Sequence, residues 1–392
     1  MPVFFVFAAC AFASGFALRL ADPIVLPVAA HFGVTPTTAA LLNTAYALPY
    51  ALAQPFLGPL GDRFGKARCI QVCVAGLALT LALGAIAPSF SMLLATRIGA
   101  GIFAGGLIPL VIAGLGDRFD MGERQVMIGR MLFAIISGQM LGSVVSGLAN
   151  DAFGWHSALV VGAGVGALAA AVAWFAMPAG ARAASTRDGG SFIELYRRVF
   201  ANPKAPWLIG GVAIEGMFFY GLFPYMGELL LATRAVPGPA GIAAITGIVL
   251  GAFGIGGLLY AASVRLMLRR FGVRRMCLIG SSVGAACYAT LAFAPTWWLA
   301  ALAMFVAGVS FYMMHNSLQT EATELAPTAR GSAVALFACG FFIGQGLGPL
   351  VFGALLHGIG PRPALLAVAA VIVVLGRVVV ARVVVVVRRV VT

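Results

Sequence analysis

Long apolar stretches alternate along the chain with short breaks that hold most of its charged residues. The stretches run over residues 4–32, 38–58, 67–88, 91–115, 125–148, 156–178, 205–232, 239–263, 273–294, 297–321, 330–355 and 363–383. A helix of roughly 20 apolar residues crosses the hydrocarbon core of a bilayer, and each stretch is about that long or longer. None alternates polar and apolar residues as the strands of a membrane barrel would, and a lone spanning segment can satisfy its own backbone only as a helix. The pattern therefore predicts an all-α membrane protein with twelve transmembrane helices.

Composition agrees. Of 392 residues, 61% are hydrophobic and only 9% charged, too few to cover a soluble protein of this length. The net charge of +13 would suit a nucleic-acid partner if it formed one surface, but its distribution says otherwise. Arg63, Lys66, Arg68, Arg118, Arg124, Arg197, Arg198, Lys204, Arg265, Arg269, Arg270, Arg274, Arg275 and Arg330 all fall in or at the edge of alternate connections, those after even-numbered spans. The opposite connections hold almost none, Arg234 and Arg362 being the exceptions. This is a topology signal that places both termini in the cytoplasm. No nucleic-acid partner is expected. The first stretch starts at Pro2 with no basic region before it, so it reads as a retained helix rather than a signal peptide. The six cysteines form no CxxC pair and read as packing residues, with neither disulfide nor metal implied. The longest break, a cytoplasmic loop over 179–204, separates two halves, 1–178 and 205–392.

Those halves repeat each other. Arg63, Phe64, Gly65 and Arg68 recur as Arg270, Phe271, Gly272 and Arg275, at an offset of 207. Gly138-Gln139-x-Leu141-Gly142 recurs as Gly344-Gln345-x-Leu347-Gly348, at an offset of 206. One six-helix unit is written twice, which implies two pseudo-symmetric six-helix bundles. In a membrane protein, such duplication points to a transporter with its substrate site between the halves.

The twelve spans, the duplication and the phrase over residues 58–68 together resemble the major facilitator superfamily. Gly58, Leu60, Asp62, Arg63, Gly65 and Lys66 match that family's signature between spans two and three, with Arg68 a further base. The resemblance implies a cytoplasmic gate. Asp62 would meet the start of span eleven, and the bases would meet an acid at the inner end of span four, here Asp117. The second copy keeps an acid, Glu324, but has Arg269 in the place of Asp62. In span five, Gly138-x-x-x-Gly142-Ser143 resembles the signature of drug antiporters, with Ser143 where they carry proline. Span eleven has Gly344-x-x-x-Gly348-Pro349, with the proline present. Small residues at this spacing let helices approach closely, so these are also interface positions in any reading.

Charges inside the spans are the candidate chemistry, because a charge in lipid is costly unless it pairs or lines a cavity. Arg19 and Asp22 are three apart on span one and can pair, either as a proton and substrate site or as a self-shielding structural pair. Pro23 and Pro27 follow and predict a kink. Arg97 in span four, followed by Gly101, resembles another family signature and would pair with an acid, tune a proton site or snorkel. Glu215 in span seven lies about 14 Å inside from Pro206, near the midplane, beside aromatic residues. There it suits a proton carrier or a partner for a cation, or else a hydrogen-bonded acid holding helices together. Tyr46, Tyr50, Gln54, Phe218 and Tyr220 lie on spans that line the cavity in the resembling family; aromatic stripes otherwise serve packing. His315, near the inner end of span ten, has a side chain able to titrate, but a lone histidine is usually structural.

These residues predict a secondary transporter that exports a small amphipathic or cationic compound in exchange for protons, by alternating access. It would be a monomer in a bacterial inner membrane, with substrate, protons and lipid as partners. No cofactor is implied, the proton gradient being the energy source. A symporter or uniporter for a sugar or organic anion is the alternative. An enzyme finds no support, since there is no metal-spaced cluster, nucleophile elbow or phosphate loop.

Overall fold

A computed structural model describes residues 2–116, 121–177, 192–326 and 330–384, and those residues are helical almost throughout. The first span is a broken helix. Helix α1 (Pro2–Arg19) gives way to a 3-10 turn (Asp22–Ile24) and then α2 (Val25–Phe32). Pro23 has no N–H to continue the ladder and its ring clashes with the preceding turn, so the helix ends rather than bends. Pro27 does no damage, because it sits in the first turn of α2, where its N–H would lack an intrahelical partner anyway. The seventh span repeats the break: α9 (Ala205–Tyr220), a 3-10 turn (Phe223–Tyr225) holding Pro224, and α10 (Met226–Ala232).

Between and after these run α3 (Pro36–Phe64), α4 (Lys66–Ala85), α5 (Phe90–Gly116), α6 (Met121–Phe153), α7 (Trp155–Ala176) and a short α8 (Phe192–Phe200). The second half continues with α11 (Ile242–Phe293), α12 (Trp297–Glu324), α13 (Arg330–Ile359) and α14 (Pro361–Arg382). Among the described residues, ten segments are long and apolar enough to span a membrane, and the 52-residue α11 is two of the predicted spans joined at Gly272. With α3, the twelve predicted spans are all present. Two further details differ from the sequence expectation. Helix α3 runs six residues past 58, through the motif itself, and the connection 179–204 contains α8.

The repeat in sequence is a repeat in packing. Gly65 turns the chain between α3 and α4 at φ 92°, and its counterpart Gly272 does so inside α11 at φ 68°, a region costly for residues with a Cβ. A Cβ at Gly138 or Gly142 would strike the carbonyls of Phe12 or Phe16 on α1. A Cβ at Gly344 or Gly348 would strike those of Ala213 or Met217 on α9. The small-residue motifs of spans five and eleven thus seat each of them against the broken helix of its own half.

Buried apolar side chains form two clusters, one drawn from residues 6–177 and the other mainly from 199–384. The halves meet along two seams, α3 with α13 and α6 with α11. On the first, Thr37 Oγ1 lies 3.3 Å from His357 Nδ1, and the Tyr50 and Phe342 rings are 4.3 Å apart. On the second, Asp151 Oδ2 accepts a hydrogen bond from the Ala244 amide at 2.9 Å, and Gly247 packs on the Ser143 carbonyl. These contacts begin at the face remote from the chain termini. Past Tyr50, Leu52 and Phe56 are 60% and 69% exposed, so α3 loses cover toward the terminal face.

Candidate substrate site between the halves

The two broken helices touch at their 3-10 turns, and this junction builds the site. Arg19 at the end of α1 lies with its guanidinium carbon 4.0 Å from the centre of the Tyr220 ring and 4.8 Å from that of Phe223. If Pro23 is matched to Pro224, Tyr220 and Phe223 are the equivalents of Arg19 and Asp22 in the other half. The duplicated position has thus become a cation on one side and its aromatic platform on the other. Arg19 Nη1 lies 3.6 Å from Asp22 Oδ2, close enough for an ion pair but too far for a hydrogen bond. Both residues are buried, at 5% and 2% exposure.

Asn43 from α3 and Gln345 from α13 complete the ring, one from each half. Together with Pro224 and Pro349 they line a narrow cleft at the seam. Around it, Arg19 Nε and Nη2, both Asp22 carboxylate oxygens, Asn43 Nδ2 and both amide atoms of Gln345 have no hydrogen-bond partner among the described residues. An unpartnered buried polar atom costs about 1–3 kcal/mol, so a packed interior rarely keeps several together. Seven lie around one cleft and come from both halves, which makes it the candidate site for a polar ligand.

Arg97 on α5 is almost completely buried and has a different role. It donates to the Ala17 carbonyl at 3.1 Å and the Leu42 carbonyl at 3.2 Å, and it covers the Tyr46 ring at 4.3 Å. Ala17 lies in the last turn of α1, where the break leaves carbonyls without intrahelical partners. A cation suits that helix end, so Arg97 ties α1 to α3 and holds the break in place. It does not line the cleft.

Glu215 is fully buried in α9, and its Oε2 lies 2.8 Å from Nδ1 of His315 on α12. The His315 ring lies face-on to Phe311 at 5.0 Å and near Phe341 at 4.7 Å. The second carboxylate oxygen, Oε1, has no partner among the described residues. This pair sits inside the second half and does not line the cleft, so the structure separates Glu215 from Arg19 and Asp22.

The other predicted residues divide. Tyr220 lines the cleft. Tyr46 donates to the Ser14 carbonyl at 3.3 Å and stacks on Tyr50, while Gln54 is buried one turn on. Phe218 is half-buried on the flank of the second cluster. In the gate motif, Arg63 lies 5.2 Å from the Phe64 ring. Arg68 is exposed. The surroundings of Gly58, the side chain of Asp62, and Asp117 altogether lie outside the described residues. Asn43 is missed by sequence reasoning, which uses Gln345 only as part of the repeat. The signal was available, since an amide inside an apolar span is expensive unless it has a job. The fold also gives His315 a buried carboxylate partner that the sequence did not assign to it.

Comparison with known proteins fits this architecture. The chain is 24% identical over 341 residues to the uncharacterized MFS-type transporter YceJ of Bacillus subtilis (strain 168), covering 86% of this chain and 84% of the relative. Over 135 residues it is 30% identical to the multidrug efflux pump LfrA of Mycolicibacterium smegmatis, covering 34% of this chain and 27% of the pump. Its fold superposes on the crystal structure of the nucleoside transporter NupG with a TM-score of 0.77 at 17% identity, over 97% of this chain and 99% of that one. The family model of the Major Facilitator Superfamily matches residues 7–332 and 243–391, and this multi-pass membrane chain belongs to that superfamily of transporters.

Proposed function

We propose that this transporter exports a small amphipathic compound bearing a cationic group, in exchange for protons, by alternating access. Its terminal face would lie in the cytoplasm of a bacterial cell, as the basic connections favour. The observation that carries the reading is Asp22: a buried carboxylate at the seam, with both oxygens free of hydrogen bonds from the described residues and a loosely held arginine beside it. Such a group can take a proton or a cationic substrate, and holding one excludes the other. Competition of this kind couples the two fluxes without any further device. Glu215 and His315 supply a second proton site in the other half, where a change of charge alters the packing of α9 on α12. The similarity to a multidrug efflux pump and the glycine pattern of α6 support export over uptake.

The test is transport by the purified protein in liposomes. Compounds that stabilise it thermally are loaded inside, and an imposed pH gradient should accelerate their exchange. Asp22→Asn should abolish that acceleration. Gradient-driven transport that survives unchanged in Asp22→Asn refutes the shared-site mechanism.

A further inference from the structure

We propose that the ligand of the cleft is a compact zwitterion with a small apolar remainder, of the kind represented by an aliphatic α-amino acid. This rests on the reading that the seam cleft is the substrate site. Among the described residues, the charged groups lining it are one cation and one anion, Arg19 and Asp22. Arg97 is engaged with the carbonyls of Ala17 and Leu42, and Glu215 with His315. A monocation would satisfy Asp22 and leave Arg19 facing a like charge; a monoanion would do the reverse. A zwitterion satisfies both.

The geometry of Arg19 sharpens this. Its Nη1 is the atom turned toward Asp22, and its ring-facing side is covered by Tyr220 and Phe223. The unpartnered nitrogens are Nε and Nη2, the two that form one edge of the guanidinium fork. That edge matches the two oxygens of a carboxylate, giving parallel charge-assisted hydrogen bonds. Asn43 Nδ2 is a further free donor for the same anionic group. Asp22, with two free acceptor oxygens, and Gln345 Oε1 are the places for an ammonium. The remaining lining, including Leu18, Ala47 and the two prolines, is apolar and suits a short aliphatic group.

The decisive experiment is binding to the full-length protein in detergent with no gradient, so that failure of proton coupling cannot disguise the result. Thermal unfolding is followed with L-valine and L-leucine, their methyl esters, their N-acetyl derivatives and tetraphenylphosphonium. The free amino acids should stabilise the protein in a saturable way. Each derivative, having lost one of the two charges, should bind at least tenfold more weakly. Arg19→Lys keeps the charge but loses the fork, and should weaken L-leucine binding about tenfold. Gln345→Ala and Asn43→Ala should weaken it less, and they serve if Arg19→Lys does not fold. The proposal is overturned if an ester or tetraphenylphosphonium binds as well as its zwitterionic counterpart, or if neither amino acid stabilises the wild-type chain. Counterflow of labelled L-leucine in liposomes without a pH gradient then separates substrate class from coupling: counterflow with no proton dependence would sink the antiport reading and leave this one standing.

Discussion

Asp151 ties the two halves together at the remote face, and its removal should shift the protein's conformational balance. It ends α6 in the first half, and its Oδ2 accepts from the amide of Ala244, in the first turn of α11 in the second half. Helix α11 has no side-chain cap of its own, since its N-cap residue is Gly241. Asp151 therefore caps the helix from across the seam, and Asn150 Nδ2 fixes the carboxylate through its other oxygen at 3.0 Å. A side-chain cap is worth about 0.5–2 kcal/mol and a carboxylate at a helix N-terminus about 0.3–1 kcal/mol at exposed sites. Asp151 is exposed, so water and salt screen it and about 1 kcal/mol is a fair total. That corresponds to roughly a fivefold shift toward states in which the remote face is open.

The shift can be read from Ser143, which is 2% exposed in the same seam. In a background without native cysteines, Ser143→Cys should react with a maleimide at a rate proportional to the open population. Asp151→Ala should raise that rate about fivefold. Asp151→Asn keeps an acceptor and loses the charge, and should fall between the two, with its difference from wild type shrinking as salt rises. An unchanged or slower rate in Asp151→Ala would refute the idea that this cap holds the remote face shut.

The gate expected at residues 58–68 should act with the opposite sign: Asp62→Asn should slow Ser143→Cys labelling, because loosening the terminal side favours closure of the remote one. Glu215→Gln should lose transport driven by a pH gradient while equilibrium ligand binding survives, since Glu215 does not line the cleft; retained coupling would remove it as a proton carrier. Gly65→Ala forces a side chain into a positive-φ turn at a cost of about 1–2 kcal/mol, and should lower the melting temperature by a few degrees with binding intact. Gly344→Ala drives a Cβ into the Ala213 carbonyl and should cost about 1–3 kcal/mol by parting α13 from α9, again read as a lowered melting temperature.

Much of this was legible in the chain. Span number follows from apolar length, because the bilayer fixes how long a helix must be. A disturbance of span one follows from Pro23, because a missing donor acts wherever the helix lies; that it is a full break, and that span seven breaks in the same way at Pro224, came from the structure. The close crossings follow from Gly138, Gly142, Gly344 and Gly348, and the repeat predicts that both halves make them. Other features depended on facing. Asp22 and Glu215 looked alike in sequence, as acids inside apolar spans. The fold gives one to a cleft shared by both halves and the other to His315 within a single half. Arg19 and Arg97 also looked alike, yet one lines the cleft and the other braces a helix end.

Sequence could not sort these pairs because a membrane removes the usual clue. In water, a helix shows which face is buried by an apolar stripe opposite a polar one. In lipid both faces are apolar, so these spans carry no stripe to say which side meets lipid and which meets protein. Length and local chemistry were enough for the class, the spans, the duplication and the disturbance of span one. Which polar side chains share a cleft had to come from the packed molecule, because it depends on how each helix is turned about its own axis.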